Sequence, residues 1–347
     1  FKPKYRITDK TANNLTKIER VRGFLEAAQL KDSWVAGMQS HALIIESHHS
    51  THIEGTELTL EQAKEILADK RVEGVKEKDE VELKNYRAAL EAISQQLGKE
   101  EPIIEDQIKE IHQTIVKGVR GGEYTPGEYR TTQNYIINSA TGEIIYTPPK
   151  AAFVKDLMKE LVEWINQPKD ISPIILASIA QFQFVHIHPF ADGNGRTARL
   201  LSTLVLYKTG YDFKRLFSLS EYYDRDKPSY YNAIQSVREN NMDLTGWLEY
   251  FTEGLKTQLT EVQEKGKLVI TKEALVEKAK DFKLNERQQR ILLYLVEEKR
   301  ASVEEIRQRF NFVRRTVQRD FSKLVELGFV KEIAKSKTDP TRYYELL

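Results

Sequence analysis

His188-Pro189-Phe190-Ala191-Asp192-Gly193-Asn194-Gly195-Arg196-Thr197-Ala198-Arg199 is the stretch on which the reading of this chain turns. An apolar run, Ile174 to Ile187, precedes it and reads as a buried helix; a second, Leu200 to Tyr207, follows it and reads as another. Between them lies a short polar loop. Gly193-Asn194-Gly195 can turn its backbone N–H groups inward, because glycine tolerates the angles this needs. Those groups open the second helix, where the dipole favours an anion. Arg196 and Arg199 are three apart, share a helix face and are expected to grip phosphate oxygens together. Asp192 is a hard oxygen ligand suited to Mg²⁺. His188 is the one side chain here with an ordinary pKa near neutrality, about 6.5. A lone Gly-x-Gly is a plain helix-opening turn; the full constellation is far more specific.

The 347 residues are enough for two or three domains with ample core. The net charge is +1, so composition by itself implies neither a nucleic-acid nor a membrane partner. There is no cysteine, which excludes disulfides and thiolate chemistry and fits a reducing cytoplasm. No apolar stretch reaches the length of a membrane span and no signal peptide is visible; the first residue is Phe1, so a trimmed N-terminus is expected.

Residues 11 to 98 read as helices. Trp34 to Ile45 is amphipathic, Thr59-Leu60-Glu61-Gln62 forms a capping box for a helix through Leu67, and Asp79 to Leu97 keeps a helical period until Gly98. Between the first two lies His48-His49-Ser50-Thr51-His52-Ile53-Glu54-Gly55. His48 and His52 have the i, i+4 spacing of a metal pair, but no third ligand follows at a familiar spacing. The plainer reading is a polar helix end. Residues 121 to 150 are the clearest non-helical segment: a turn at Pro126-Gly127-Glu128-Tyr129-Arg130, then strands Asn134 to Asn138 and Glu143 to Thr147 joined through Ser139-Ala140-Thr141-Gly142. Tyr230-Tyr231 opens a helix that reaches Arg238, and Trp247 to Leu255 closes the core by its apolar spacing.

Gly266 to Lys283 reads as a charged, exposed helical connection. Beyond it come a helix over Gln289 to Leu295, another from Ser302, and a third over Val313 to Leu324 that carries Arg314, Arg315 and Arg319. Leu327 to Val330 and Arg342 to Glu345 read as a two-stranded wing with its tip around Ser336 to Pro340. This pattern resembles a winged helix-turn-helix. From Asn285 to Leu347 there are 14 Lys and Arg against 10 Asp and Glu, a modest excess. DNA binding through the third helix and a protein-interaction module on the same fold both stay open.

The central stretch is similar to the signature of the Fic family, His-Pro-Phe-x-(Asp/Glu)-Gly-Asn-Gly-Arg-x-x-Arg, with every fixed position present. The resemblance covers about 30 to 255 and implies a mainly α fold: a Fic-type helical core with a β-hairpin flap, here followed by the winged helix. The expected division is 1–110, carrying an inhibitory motif; 111–255, the catalytic core; 256–284, a linker helix; and 285–347, the winged helix. The activity implied is transfer of AMP from ATP to a Ser, Thr or Tyr hydroxyl of a target protein. His188 would be the general base, Asp192 the Mg²⁺ ligand, and Gly193, Asn194, Gly195, Arg196 and Arg199 the phosphate site. Tyr230, Tyr231 and Arg238 would form the adenine pocket, although other members often carry Asn where Arg238 stands. Glu143, Ile144, Ile145 and Tyr146 would be the flap edge that aligns the target segment by strand addition. Ser50-x-x-x-Glu54-Gly55 resembles the inhibitory motif, (Ser/Thr)-x-x-x-Glu-(Gly/Asn), whose glutamate would pair with Arg199. Transfer of phosphate or phosphocholine, hydrolytic removal of AMP using Glu54, and a DNA-binding regulator with a degenerate enzyme domain are the alternatives. ATP and Mg²⁺ are the expected small partners; a homodimer is left open, and no membrane partner is expected.

Overall fold

A computed structural model describes residues 1–97, 101–119, 121–137, 141–167, 170–336, 339 and 341–347. Among them the chain forms two compact units, Phe1–Val262 and Gln263–Leu347.

The first unit opens with α1 (Asp9–Ala27), α2 (Asp32–Ile53), α3 (Leu60–Leu67), α4 (Glu77–Ser94) and α5 (Glu105–Ile115). The Thr59 capping box forms as expected, with Thr59 Oγ accepting from Gln62 N–H and Gln62 Oε1 accepting from Thr59 N–H. Gly98, expected to end the fourth helix, lies outside the described residues, and the helix itself stops at Ser94. Two expectations are corrected. The histidine stretch does not lie between two helices but is the polar helix end of the plainer reading, because α2 runs on through Ile53 and Glu54 is its C-cap. The boundary placed between 110 and 111 falls inside α5, which a domain edge cannot cut.

A short antiparallel hairpin follows, β1 (Ile136–Ile137) with β2 (Ile144–Tyr146), pairing Ile136 with Tyr146 and Ile137 with Ile144 across a bulge. Both strands are shorter than expected, and Asn138, Ser139 and Ala140 of the expected hairpin lie outside the described residues. Then come α6 (Val154–Asn166), α7 (Pro173–Ile187), α8 (Asn194–Lys208), α9 (Leu219–Arg225), α10 (Lys227–Glu239) and α11 (Thr245–Asp281), whose residues beyond Val262 belong to the second unit. From Ile174 to Ile187 every residue of α7 but His186 is buried. A helix that is apolar all round belongs at the centre of a bundle. Its packing partner is α8, and Phe182, Phe184, Trp247 and Phe251 fill the core about them, each ring contributing about 1.5–3 kcal/mol by its burial. The helix expected to close at Leu255 and the separate linker helix expected from 256 are one element, α11. The charge along this stretch marks an exposed face of a continuous helix and not a break in it.

The second unit carries α12 (Glu286–Glu298), β3 (Arg300–Ala301), α13 (Val303–Phe310), α14 (Arg314–Glu326), β4 (Val330–Ile333) and β5 (Tyr343–Leu346). Its sheet has three strands in the order β3-β5-β4, one more than the expected wing, because Arg300 and Ala301 pair with Glu345 and Tyr344. Phe321 stacks on Tyr344 with centroids 3.9 Å apart, which seals α14 onto the sheet. Lys337, Thr338 and Pro340 of the expected wing tip lie outside the described residues.

Candidate active site

The loop between α7 and α8 is held at three points. His188 ends α7 in the left-handed region, φ 51°, so the chain leaves the helix sharply toward Pro189. Phe190 is fully buried and anchors the middle. Asn194 then clamps it: Phe190 N–H donates to Asn194 Oδ1 and Asn194 Nδ2 donates to Phe190 C=O, both at 2.9 Å. Gly193 caps α8 with φ 75°, and a Cβ there would lie 2.9 Å from Val116 Cγ1, so glycine is required twice over. The Asn194 side chain was expected to stabilise phosphoryl oxygens. It is engaged inside the loop instead, because a buried amide must satisfy its own donors and acceptor.

Two residues that sequence reasoning missed tie this loop to the rest of the site. His112 on α5 receives Gly127 N–H on Nδ1 and so carries its proton on Nε2, which donates to Asp192 C=O, both at 3.0 Å. Its ring stacks on Phe190 at 3.7 Å, and burial lowers its pKa to about 4. Arg130 closes the turn that reads Pro126 to Arg130: its Nε donates to His188 C=O at 2.9 Å and its N–H to Pro189 C=O at 2.8 Å. The same guanidinium reaches Pro149 C=O at the far end of the hairpin. A histidine in a helix and an arginine after a turn carry no local signal for such contacts, which join segments distant in sequence.

His188 is built as a neutral base. Its Nδ1–H donates to Val185 C=O at 3.3 Å, which leaves Nε2 as the basic nitrogen. Burial lowers its pKa to about 4, and the positive charges of Arg238 and Arg130 add to that. Asp192 accepts Gly193 N–H on Oδ1 at 2.6 Å, and its other oxygen has no protein partner among the described residues. One half-exposed carboxylate beside a helix N-terminus fits Mg²⁺, which takes one or two carboxylates and completes its shell with phosphate oxygens and water. Among the described residues no group of three or more His, Cys, Asp or Glu side chains could hold a metal alone.

The anion-seeking end of α8 faces a carboxylate of the chain itself. Arg199 Nη2 donates to Glu54 Oε1 at 2.9 Å and to Ser50 C=O at 2.9 Å, and Arg199 Nε donates to Ser50 Oγ at 2.8 Å. Burial disfavours the Arg199 charge, but Glu54 outweighs it and the pKa is raised. A Cβ at Gly195 would collide with Glu54 Oε1, so the carboxylate rests on the bare backbone of the first helical turn. Glu54 and Arg199 thus meet as the resemblance implies, Ser50 joins them, and Gly55 stands just beyond the helix end at φ 104°.

Arg196 does not join them. It is 1% exposed and its Nη1 donates to Glu82 of α4 at 2.6 Å. The expected double grip by Arg196 and Arg199 is therefore corrected: three residues apart on a helix still leaves about 60° between side chains, enough to face two different neighbours. The adenine triple is also redrawn. Tyr230 is 2% exposed and stacks on Tyr223 at 4.3 Å, whereas Tyr231 is 50% exposed. Arg238 lies over the Tyr146 ring, 3.4 Å from its centroid, and so belongs with the hairpin. The Tyr146 hydroxyl donates to His186 C=O at 3.0 Å and meets His186 Nδ1 at 2.8 Å, which pins the end of β2 to α7. Ile144 and Ile145 stay 57% and 47% exposed, and Glu143 precedes the strand without joining it.

The metal-pair reading of His48 and His52 loses its geometry. His52 Nδ1 donates to Asp224 at 2.8 Å and His49 Nδ1 to the same carboxylate at 2.7 Å, while His48 stacks on His52. Burial would raise the Asp224 pKa, but these hydrogen bonds hold it well below the usual carboxylate range. In the second unit, Arg314, Arg315 and Arg319 of α14 are all exposed.

Residues 102–206 match the model of the Fic/DOC family, and residues 279–346 match that of the sugar-specific transcriptional regulator TrmB. A protein adenylyltransferase Fic of Culex quinquefasciatus is 32% identical over 199 residues, covering 56% of this chain and 38% of that protein. The chain thus spans well under two thirds of the length of the curated relatives it matches. A Fic family protein from Desulfovibrio desulfuricans has a similar fold, with a TM-score of 0.65 at 22% identity over 100% of this chain and 98% of that one. Fic-1 of Caenorhabditis elegans gives 0.60 at 26% identity, covering 72% of this chain and 71% of that one.

Proposed function

For a chain that belongs to the Fic family through residues 102–206 and ends in a winged helix of the TrmB kind, we propose the activity of a protein adenylyltransferase, held in check by Glu54. The observation that carries this reading is the meeting of a neutral His188 and the open N-terminus of α8 with a carboxylate lodged where an anion belongs. ATP is the substrate. His188 Nε2 takes the proton of a Ser, Thr or Tyr hydroxyl as its oxygen attacks the α-phosphorus and the bond to pyrophosphate breaks. The backbone N–H groups at the start of α8 face the charge that develops on the α-phosphate oxygens. Asp192 would hold Mg²⁺, which supplies charge neutralisation for the phosphates. Arg199 would bind the outer phosphates once released from Glu54. The exposed edge of β2, with Ile144 and Ile145, would seat the target segment.

Glu54 checks the reaction because it uses Arg199 and crowds Gly195. ATP then lies with its α-phosphate out of line, and such misplacement costs about a hundredfold in rate. The test is label transfer from α-labelled ATP to lysate proteins and to the enzyme itself. Glu54→Gly should raise transfer about a hundredfold. Adding His188→Ala to that variant should lower it by about 10²–10⁴ while ATP binding persists. A folded Glu54→Gly protein no more active than wild type would sink the inhibitory role; a Glu54→Gly/His188→Ala protein as active as its parent would sink the base. A second activity rests on α14, whose exposed arginines suit duplex DNA phosphates.

A further inference from the structure

Away from the catalytic loop, a cavity of about 380 Å³ opens among α2, α4 and α8, bordered by the segment after α8 at Arg215 and Phe217. No residue from 188 to 195 lines it. Its volume falls within the range of small-molecule sites, about 300–1,000 Å³. Leu43, Leu90, Tyr207 and Phe217 give it an apolar wall.

The charges around it are unequal. Glu46 accepts from the hydroxyls of Tyr86, Ser218 and Ser220 and from Ser220 N–H, so its oxygens are satisfied. Glu91 is paired with Arg87 at 2.8 Å. Arg215 has no ion pair or side-chain hydrogen bond among the described residues. It also stands on strained backbone: Phe213, Lys214 and Arg215 have φ of 46°, 52° and 59°, three successive non-glycine residues in the left-handed region. Gln39 of α2 holds that segment by donating to Lys214 C=O at 2.9 Å. Strain maintained at the edge of a cavity, presenting one unpaired cation, is the character of a ligand clamp.

We propose that this cavity is an effector site for a small organic anion, its carboxylate on Arg215 and its apolar body against Leu43, Leu90 and Phe217. The cavity walls are the elements that carry the inhibitory contact. Glu46 lies one turn before Ser50 on α2, and Thr203, which lines the cavity, donates to Arg199 C=O at 3.1 Å. A ligand that fits the cavity as it stands favours the arrangement in which Glu54 holds Arg199. On the reading of Glu54 given above, and resting on it, the ligand is an inhibitor.

The probe is 4-phenylbutyrate, with 4-phenylbutyramide as its uncharged match, titrated calorimetrically into the full chain. The acid binds once per chain, and the amide binds at least about tenfold more weakly for want of one charge-assisted hydrogen bond. Arg215→Gln brings the acid down to the level of the amide. Ala36→Trp, at an exposed position on the cavity mouth, blocks both. Hydrogen exchange then shows greater protection of Ser50–Glu54 in the presence of the acid. No binding of the acid at millimolar concentration, or binding that survives both substitutions, overturns the site. Saturated binding with unchanged protection of Ser50–Glu54 overturns the effector role. These readouts need no transferase activity, so failure of the adenylyltransferase reading leaves them intact.

Discussion

On α8, Arg196 and Arg199 are 1% and 3% exposed and each faces a carboxylate, Glu82 or Glu54. On α14, Arg314, Arg315 and Arg319 are exposed and none has an ion pair among the described residues. The same guanidinium serves two purposes. Stripped of water, it acts at one position and in one direction, and a ligand must displace or join its carboxylate. Left in water, it recognises no single group but contributes to a field that any closely spaced row of phosphates can meet.

The largest effect that separates the regions is on stability. Arg196→Ala removes a fully buried guanidinium from its contact with the Glu82 carboxylate and should lower unfolding free energy by about 3–5 kcal/mol, whereas Arg314→Ala should stay within about 0.5 kcal/mol. Urea unfolding checks both, and equal losses would break the contrast. Acid should sharpen it. Burial holds His48, His112, His186 and His188 at about 4, below their ordinary 6.5, while the chain beyond His188 contains no histidine. Their folded pKa values lie below the unfolded ones, so the unfolded state binds more protons between about 6.5 and 4. Stability of the first unit should therefore be full above that window and fall as pH drops through it. Hydrogen exchange across pH, read separately for α7 and α14, measures this; an α7 that holds its protection down to pH near 4 would show that these histidines are not buried as described. The smallest effect lies on α14. Arg315→Ala should reduce the salt slope of duplex DNA binding by about one unit, with little dependence on DNA sequence. Anisotropy titrations at several salt concentrations would show it, and an unchanged slope would leave α14 to a protein partner.

The same contrast explains what could be read from the residues alone. The loop from His188 to Arg199 was legible because its chemistry is local: glycines, a helix start and a histidine in one short run. Ser50, Glu54 and Arg199 were legible through a motif. The partner of Arg196 was not, since Glu82 lies far along the chain in a helix whose pattern marks it only as polar. His112 and Arg130 were missed for that reason too, each working by contacts to backbone groups of distant segments. Tyr230 and Tyr231 look alike in sequence, and only the position of Tyr223 shows which ring is covered. The two-residue strand β3 is too short to carry a period, so its pairing of Ala301 with Tyr344 leaves no mark in the sequence. The histidine-rich end of α2 hid the helix because it has no apolar rhythm, its side chains being held by Asp224 instead.

The clamp that Asn194 places on Phe190 has a bearing on chemical ageing. Asparagine followed by glycine is the pair most prone to deamidate, because the next backbone nitrogen can attack the side-chain carbonyl and close a succinimide ring. Here Oδ1 and Nδ2 of Asn194 are each bound to Phe190, and Gly195 is fixed in the first turn of α8, so the nitrogen of Gly195 is kept from that attack. Were the ring to close and reopen as aspartate, the donor to Phe190 C=O would become an acceptor and the loop would lose its hold on His188. The bonds that shape the catalytic loop therefore also set how long an individual molecule can keep that shape.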